Sequence, residues 1–117
     1  MREQELHQAA AQYLDLALPP GAVHAAIDSA GKASPVIGAL LKARGGKKGF
    51  PDHIILHSGV ARFVEFKAMK GRLSPEQAAM HARLRAAGFD VWLVRSLTEL
   101  QLQLETAGIS SRVRIAA

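Results

Sequence analysis

The sequence contains no cysteine. Disulfide scaffolds, thiolate zinc centres, iron–sulfur clusters and cysteine nucleophiles are therefore excluded. Aromatic residues are scarce, at 5%, so a core must be assembled mainly from Leu, Ile, Val and Ala. No apolar run approaches the ~20 residues needed to cross a bilayer. The polar start Met1-Arg2-Glu3-Gln4-Glu5 is not followed by the apolar stretch of a secretory signal. A cytoplasmic protein without membrane contact is the expectation. A GxxxxGK[ST] phosphate loop is also missing, because Gly45-Gly46-Lys47-Lys48-Gly49 has the wrong order for one. No nucleotide cofactor is expected. Repeats, linkers and low-complexity tracts are absent.

What is present fits one domain over residues 1–117, with 49% apolar residues. A chain of this size buries roughly two thirds of its unfolded surface. The net charge is +5, and its placement is uneven. The stretch from Lys32 to Arg72 holds nine basic residues and two acids, a net +7, whereas the rest of the chain is slightly acidic. A positive middle segment suits a polyanion, and a solvated lysine-rich loop would look the same.

The pattern predicts the order α β α β β α β α, a mixed sheet flanked by helices. Leu6, Ala10, Tyr13, Leu14 and Ala17 form one apolar stripe of a helix over Glu3–Ala17, stopped by Pro19-Pro20-Gly21. A short strand follows at Ala22–Ile27, then a turn at Asp28–Gly31. Ser34-Pro35 opens a second helix that ends at Gly45-Gly46. Two strands, His53–His57 and Ala61–Lys67, are joined by a Ser58-Gly59 hairpin turn. Ser74-Pro75-Glu76-Gln77 is a capping-box start for a helix carrying Ala78, Ala79, Leu84 and Ala87. Val91–Val94 reads as a buried strand, and Ser96 to about Thr106 as a last helix. Val113 and Ile115 alternate with Arg112 and Arg114, the pattern of a terminal strand.

Chemistry concentrates in Pro51-Asp52 and, after twelve intervening residues, Glu65-Phe66-Lys67. Alternation puts Glu65 and Lys67 on one face of their strand and Val64 and Phe66 on the other. The hairpin brings Asp52 beside Glu65. Two adjacent carboxylates repel unless a cation lies between them or one is protonated, and an all-oxygen set suits magnesium or manganese. A salt bridge from Glu65 to Lys67 or Lys70 on an exposed face would produce the same spacing. His53 and His57 are ~13 Å apart along a strand, too far to share an ion, and read as surface or phosphate-facing residues. His7, His24 and His81 carry no signal of their own.

The strings Gly49-Phe50-Pro51-Asp52, Phe63-Val64-Glu65-Phe66-Lys67, Gly71-Arg72-Leu73-Ser74-Pro75-Glu76-Gln77 and Ala87-Gly88-Phe89-Asp90-Val91 together resemble the VRR-NUC domain family. That family is a branch of the PD-(D/E)XK nucleases, and the resemblance spans about residues 3–109. It implies a restriction-endonuclease-like α/β fold. It also implies that Asp52 and Glu65 are metal carboxylates, with the Phe66 backbone carbonyl as a further ligand. Lys67 would be the catalytic lysine, and Gln77 matches a family glutamine that also serves the capping box. Glu5 is the better match to the family's first-helix glutamate and would supply a second metal site, with Glu3 as the fallback. Two departures are Asp28 in place of a frequent Asn, and Phe50 where an aliphatic residue is common.

The resemblance thus implies a Mg2+- or Mn2+-dependent endonuclease acting on DNA, of bacterial or phage origin. Standalone members of this size suggest a homodimer acting on branched, Holliday-junction-like DNA in repair. Lys42, Arg44, Lys47, Lys48, Lys70 and Arg72 are the candidate DNA contacts. A non-catalytic nucleic-acid-binding module with the same fold is the alternative.

Overall fold

The structure, a computed structural model, describes residues 1–27 and 34–109. The turn expected at Asp28–Gly31 and the strand expected around Val113 and Ile115 lie outside those residues. The elements are α1 (Glu3–Ala17), β1 (Val23–Ala26), α2 (Pro35–Ala43), β2 (His53–His57), β3 (Val60–Phe66), α3 (Pro75–Ala86), β4 (Asp90–Val94) and α4 (Leu97–Thr106). Their order is the one the pattern predicts. Among the described residues no helix is long and apolar enough to cross a membrane.

The strands form one sheet in the order β1-β2-β3-β4. The β1–β2 and β2–β3 pairs are antiparallel, whereas β3 and β4 are parallel and joined through α3. Ser58 and Gly59, at φ 52° and 76°, make the tight turn between β2 and β3. Positive φ at both central residues matches the twist of the flanking strands and fixes their register. His53 therefore pairs with Val64, which leaves Asp52 level with Glu65.

One sheet face presents Ile55, Val64, Phe66, Trp92 and Val94, which pack with Leu6, Ala10, Tyr13, Leu14 and Ala17 of α1 and Leu100 and Leu104 of α4. Each of the larger side chains gains about 1.5–3 kcal/mol from burial. The other face carries Phe63 and Glu65. Phe63 meets Phe50 and Phe89 edge-on, at ring separations of 5.5 and 5.8 Å.

Helix α3 does not pack through the alanines it carries. Ala78, Ala79 and Ala87 are exposed, and the buried stripe is Gln77, Met80 and His81. Its start is as expected. The Ser74 hydroxyl accepts from the Gln77 N–H at 3.1 Å, and the Gln77 side-chain oxygen accepts from the Ser74 N–H at 2.9 Å. Helix α2 begins with the expected Ser34 cap but buries no residue.

Candidate metal centre

The site forms where the start of β2, the end of β3 and the first turn of α1 meet. Asp52 and Glu65 are buried to 3% and 0% exposure. The antiparallel register brings them together, and the Phe66 N–H fixes Asp52 by donating to its Oδ2 at 2.9 Å. Glu65 is held from the α3 side. Gln77 Nε2 donates to its Oε2 at 3.3 Å, and His81 Nε2 donates to its Oε1 at 3.1 Å. An ionised carboxylate has about four acceptor positions, so these two bonds orient the group without exhausting it.

Glu3, Asp52 and Glu65 each offer a carboxylate oxygen, and the three oxygens lie within 4.8 Å of one another. No ordinary packing requirement gathers three acids in this way, because each pays desolvation and mutual repulsion. A cavity of about 380 Å3, bordered by Glu3, Gln4, His7 and Asp52, opens onto the group. Lys67 is buried, with its Nζ 3.8 Å from Glu3 Oε2. Its N–H donates to the Val94 carbonyl at 3.0 Å and extends the parallel ladder one residue past β3. The following turn is tied down by Arg95, whose Nη1 donates to the carbonyls of Ala68 and Gly71 at 2.6 and 2.7 Å.

Glycine at position 49 is required by the same arrangement. Its φ is +82°, and a Cβ there would collide with the Glu76 carbonyl and stand 2.8 Å from the Gln77 N. The segment that delivers Pro51-Asp52 is thus packed directly on the start of α3, the element that supplies Gln77.

Two expectations are corrected. Glu5 is exposed and paired with Arg2 at 2.7 Å, and Glu3 takes the place beside Asp52 and Glu65. The apolar stripe already contains the reason. Glu3 precedes Leu6 and Ala10 by three and seven residues, on the inward face, whereas Glu5 turns away from it. His53 is not a surface residue but 2% exposed, because it shares its strand face with Ile55. It sits in a continuous chain of contacts. His7 Nε2 is 3.0 Å from His53 Nδ1, His53 Nε2 is 2.8 Å from His24 Nδ1, and His24 Nε2 donates to Asp15 Oδ1 at 2.6 Å. Burial, with His7 and His24 beside it, pushes the His53 imidazole down to about 4. His57, four residues on, is half-buried.

The sequence reading also missed His81, although it lies one helical turn beyond Gln77 and therefore on the same face. The six basic candidates, Lys42, Arg44, Lys47, Lys48, Lys70 and Arg72, are all exposed. Lys48 lies 3.6 Å from Glu76 at the start of α3. That neighbour and the helix's own backbone lower the Glu76 carboxyl, the backbone contribution being the larger.

Comparison with known proteins bears on the family and the fold. The family model described as the VRR-NUC domain matches residues 4–97. A solved structure described as a VRR_NUC domain is similar in fold, with a TM-score of 0.61 and 24% identity over 88% of this chain and 94% of its own. No curated protein matches.

Proposed function

The chain belongs to the VRR-NUC domain family, and on that premise we propose that it is a divalent-metal-dependent endonuclease hydrolysing phosphodiester bonds in DNA. The observation that carries this reading is the convergence of Glu3, Asp52 and Glu65 oxygens within 4.8 Å, beside a buried lysine. The donor set is made only of oxygens, which fits a hard cation such as Mg2+ or Mn2+ rather than zinc. We assign Asp52 and Glu65 as the principal holders of the ion, with Glu3 completing the group and the Phe66 carbonyl as a further donor.

When bound, such an ion supplies Lewis-acid polarisation of the phosphate and activation of a water. The remaining work falls to the chain's own groups. Gln77 and His81 fix the Glu65 carboxylate, and the Phe66 N–H fixes Asp52, so the acids need no reorganisation on substrate binding. The Lys67 ammonium, held at the rim by Glu3, stabilises negative charge that develops on the phosphoryl oxygens. The exposed basic residues at 42–48 and 70–72 attract the DNA backbone without reading its sequence.

The finer parts of the proposal are selectivity for branched or junction-like DNA and action as a homodimer. Support for a second copy comes from α2, whose Val36, Ile37 and Leu40 are 77%, 48% and 51% exposed. Such apolar exposure is typical of an interaction surface.

The test is cleavage of linear, flap and four-way DNA with Mg2+ or Mn2+, by the wild-type protein and by Lys67→Ala. Wild type is expected to cut only with metal. Lys67→Ala is expected to lose about two to three orders of magnitude in turnover, with DNA binding weakened by no more than one phosphate contact. Metal-independent behaviour, or a variant that cuts at the wild-type rate, refutes the assignment.

A further inference from the structure

Helix α1 carries a second stripe besides its apolar one. Gln4, His7, Gln8 and Ala11 recur at the spacing of one helical face. They border an open pocket of about 320 Å3, with Ala26 and His53 on its other side. Gln4 and His7 also border the larger cavity that reaches Asp52 and Glu3. The two spaces thus share Gln4 and His7, and the second lies along α1 on the side of the edge strand β1.

Its lining defines what it accepts. Among the described residues, none of the six that line it is a lysine or arginine. Gln4 and Gln8 each offer an amide that both donates and accepts, the pairing chemistry of a base edge. Ala11 and Ala26 leave room for a planar group. The imidazole of His7 adds the flat contact on which unpaired bases are commonly stacked. That ring is already immobilised. It is stacked on Phe66 at 4.8 Å and bonded to His53, which is anchored through His24 to Asp15. A preorganised wall reduces the ordering cost of binding.

We propose that this open pocket is a subsite for one unpaired nucleobase of the strand whose phosphate lies at the carboxylates. The proposal rests on the nuclease reading and gives it a physical origin for structure selectivity. A base inside a duplex cannot enter without being unstacked, which costs a few kcal/mol, whereas a flap or branch base is already available.

The experiment measures binding in EDTA, so that no cleavage intervenes. The probes are a flap duplex with a fluorescent adenine analogue as its first unpaired nucleotide, and a fully paired duplex of the same length. Ala11→Leu fills the pocket, and Gln8→Ala removes one amide. Neither residue belongs to the core cluster, and an unchanged thermal transition verifies the fold. Wild type is expected to prefer the flap and to change the analogue's fluorescence. Ala11→Leu is expected to weaken flap binding at least about fivefold, the low end for one stacked base, while duplex binding is retained. Gln8→Ala should give a smaller loss of the same selectivity. A flap affinity unaffected by Ala11→Leu, or an equal loss for both probes, overturns the subsite. Wild-type protein that binds and cuts DNA with no flap preference also overturns it, leaving the nuclease reading intact. Wild-type protein that binds neither probe and cuts no DNA removes the nuclease reading and the subsite with it.

Discussion

Asp52→Asn separates a metal site from an ordinary buried polar cluster. The substitution keeps the side chain's size, and its remaining carbonyl can still accept the Phe66 N–H, now 2.9 Å away. What it removes is one negative charge from three carboxylates whose oxygens lie within 4.8 Å. Unit charges at that separation repel by about 3.5 kcal/mol at an effective dielectric constant near 20, and Asp52 faces two such neighbours. Lys67 beside Glu3, and solvent at the partly exposed Glu3, offset much of this. A net stabilisation of the metal-free protein of about 1–3 kcal/mol is expected. For a domain of this length that raises Tm by roughly 4 °C per kcal/mol. Adding Mn2+ should reverse the order. Metal at about one hundred times its Kd stabilises the wild type by about 2.7 kcal/mol, whereas Asp52→Asn should scarcely respond. Calorimetry in EDTA and in Mn2+ gives all four values. An Asp52→Asn protein that melts below wild type in EDTA, and still gains from Mn2+, would refute the reasoning.

Gly49→Ala should destabilise the fold by about 2–4 kcal/mol in urea titrations, from the left-handed backbone and the collision with α3. Gly59→Ala is the control, since its φ is also positive at +76° but a Cβ there meets nothing within 4 Å, and it should cost only about 1 kcal/mol. Equal losses would remove the packing argument. His53 predicts a pH dependence. Its unfolded imidazole protonates near 6.5 while the folded one resists until about 4, so the unfolded state gains the proton first. Stability is then full above pH 6.5 and declines as pH falls toward 4, by at most about 3 kcal/mol. A His53→Phe protein that loses as much stability between pH 7 and 5 as wild type would contradict this. His81→Leu removes one of the donors to the buried Glu65 carboxylate and should lower metal-free stability by about 1–3 kcal/mol. Unchanged unfolding would mean that the contact contributes nothing.

Local chemistry was legible in the sequence wherever a short segment settles its own conformation. The Ser74 capping box, the Ser34-Pro35 start and the Ser58-Gly59 turn each satisfy backbone groups within a few residues, and each is present as read. The hairpin is also why Asp52 and Glu65 could be paired in advance. A two-residue turn fixes register, and register fixes which residues are level. The family motifs added the proposed roles of Lys67 and Gln77. Choosing Glu3 over Glu5 was within reach of the apolar stripe of α1, and placing His53 inward was within reach of its alternation with Ile55. Neither follows from the motifs alone, which place residues along the chain and not around a helix or across a sheet.

Other features depended on tertiary structure. The contact chain from His7 through His53 and His24 to Asp15 draws on α1, β2 and β1, which are far apart in sequence. The grip of His81 on Glu65, the collision reserved for any side chain at position 49, and the pocket along α1 are of the same kind. Each depends on the rotation and distance at which a helix docks on the sheet. Those are set by how Leu6, Ala10, Leu14 and their partners fill a close-packed interior. Sequence periodicity names the face that packs, and only the packing itself fixes where the polar atoms beside that face come to rest.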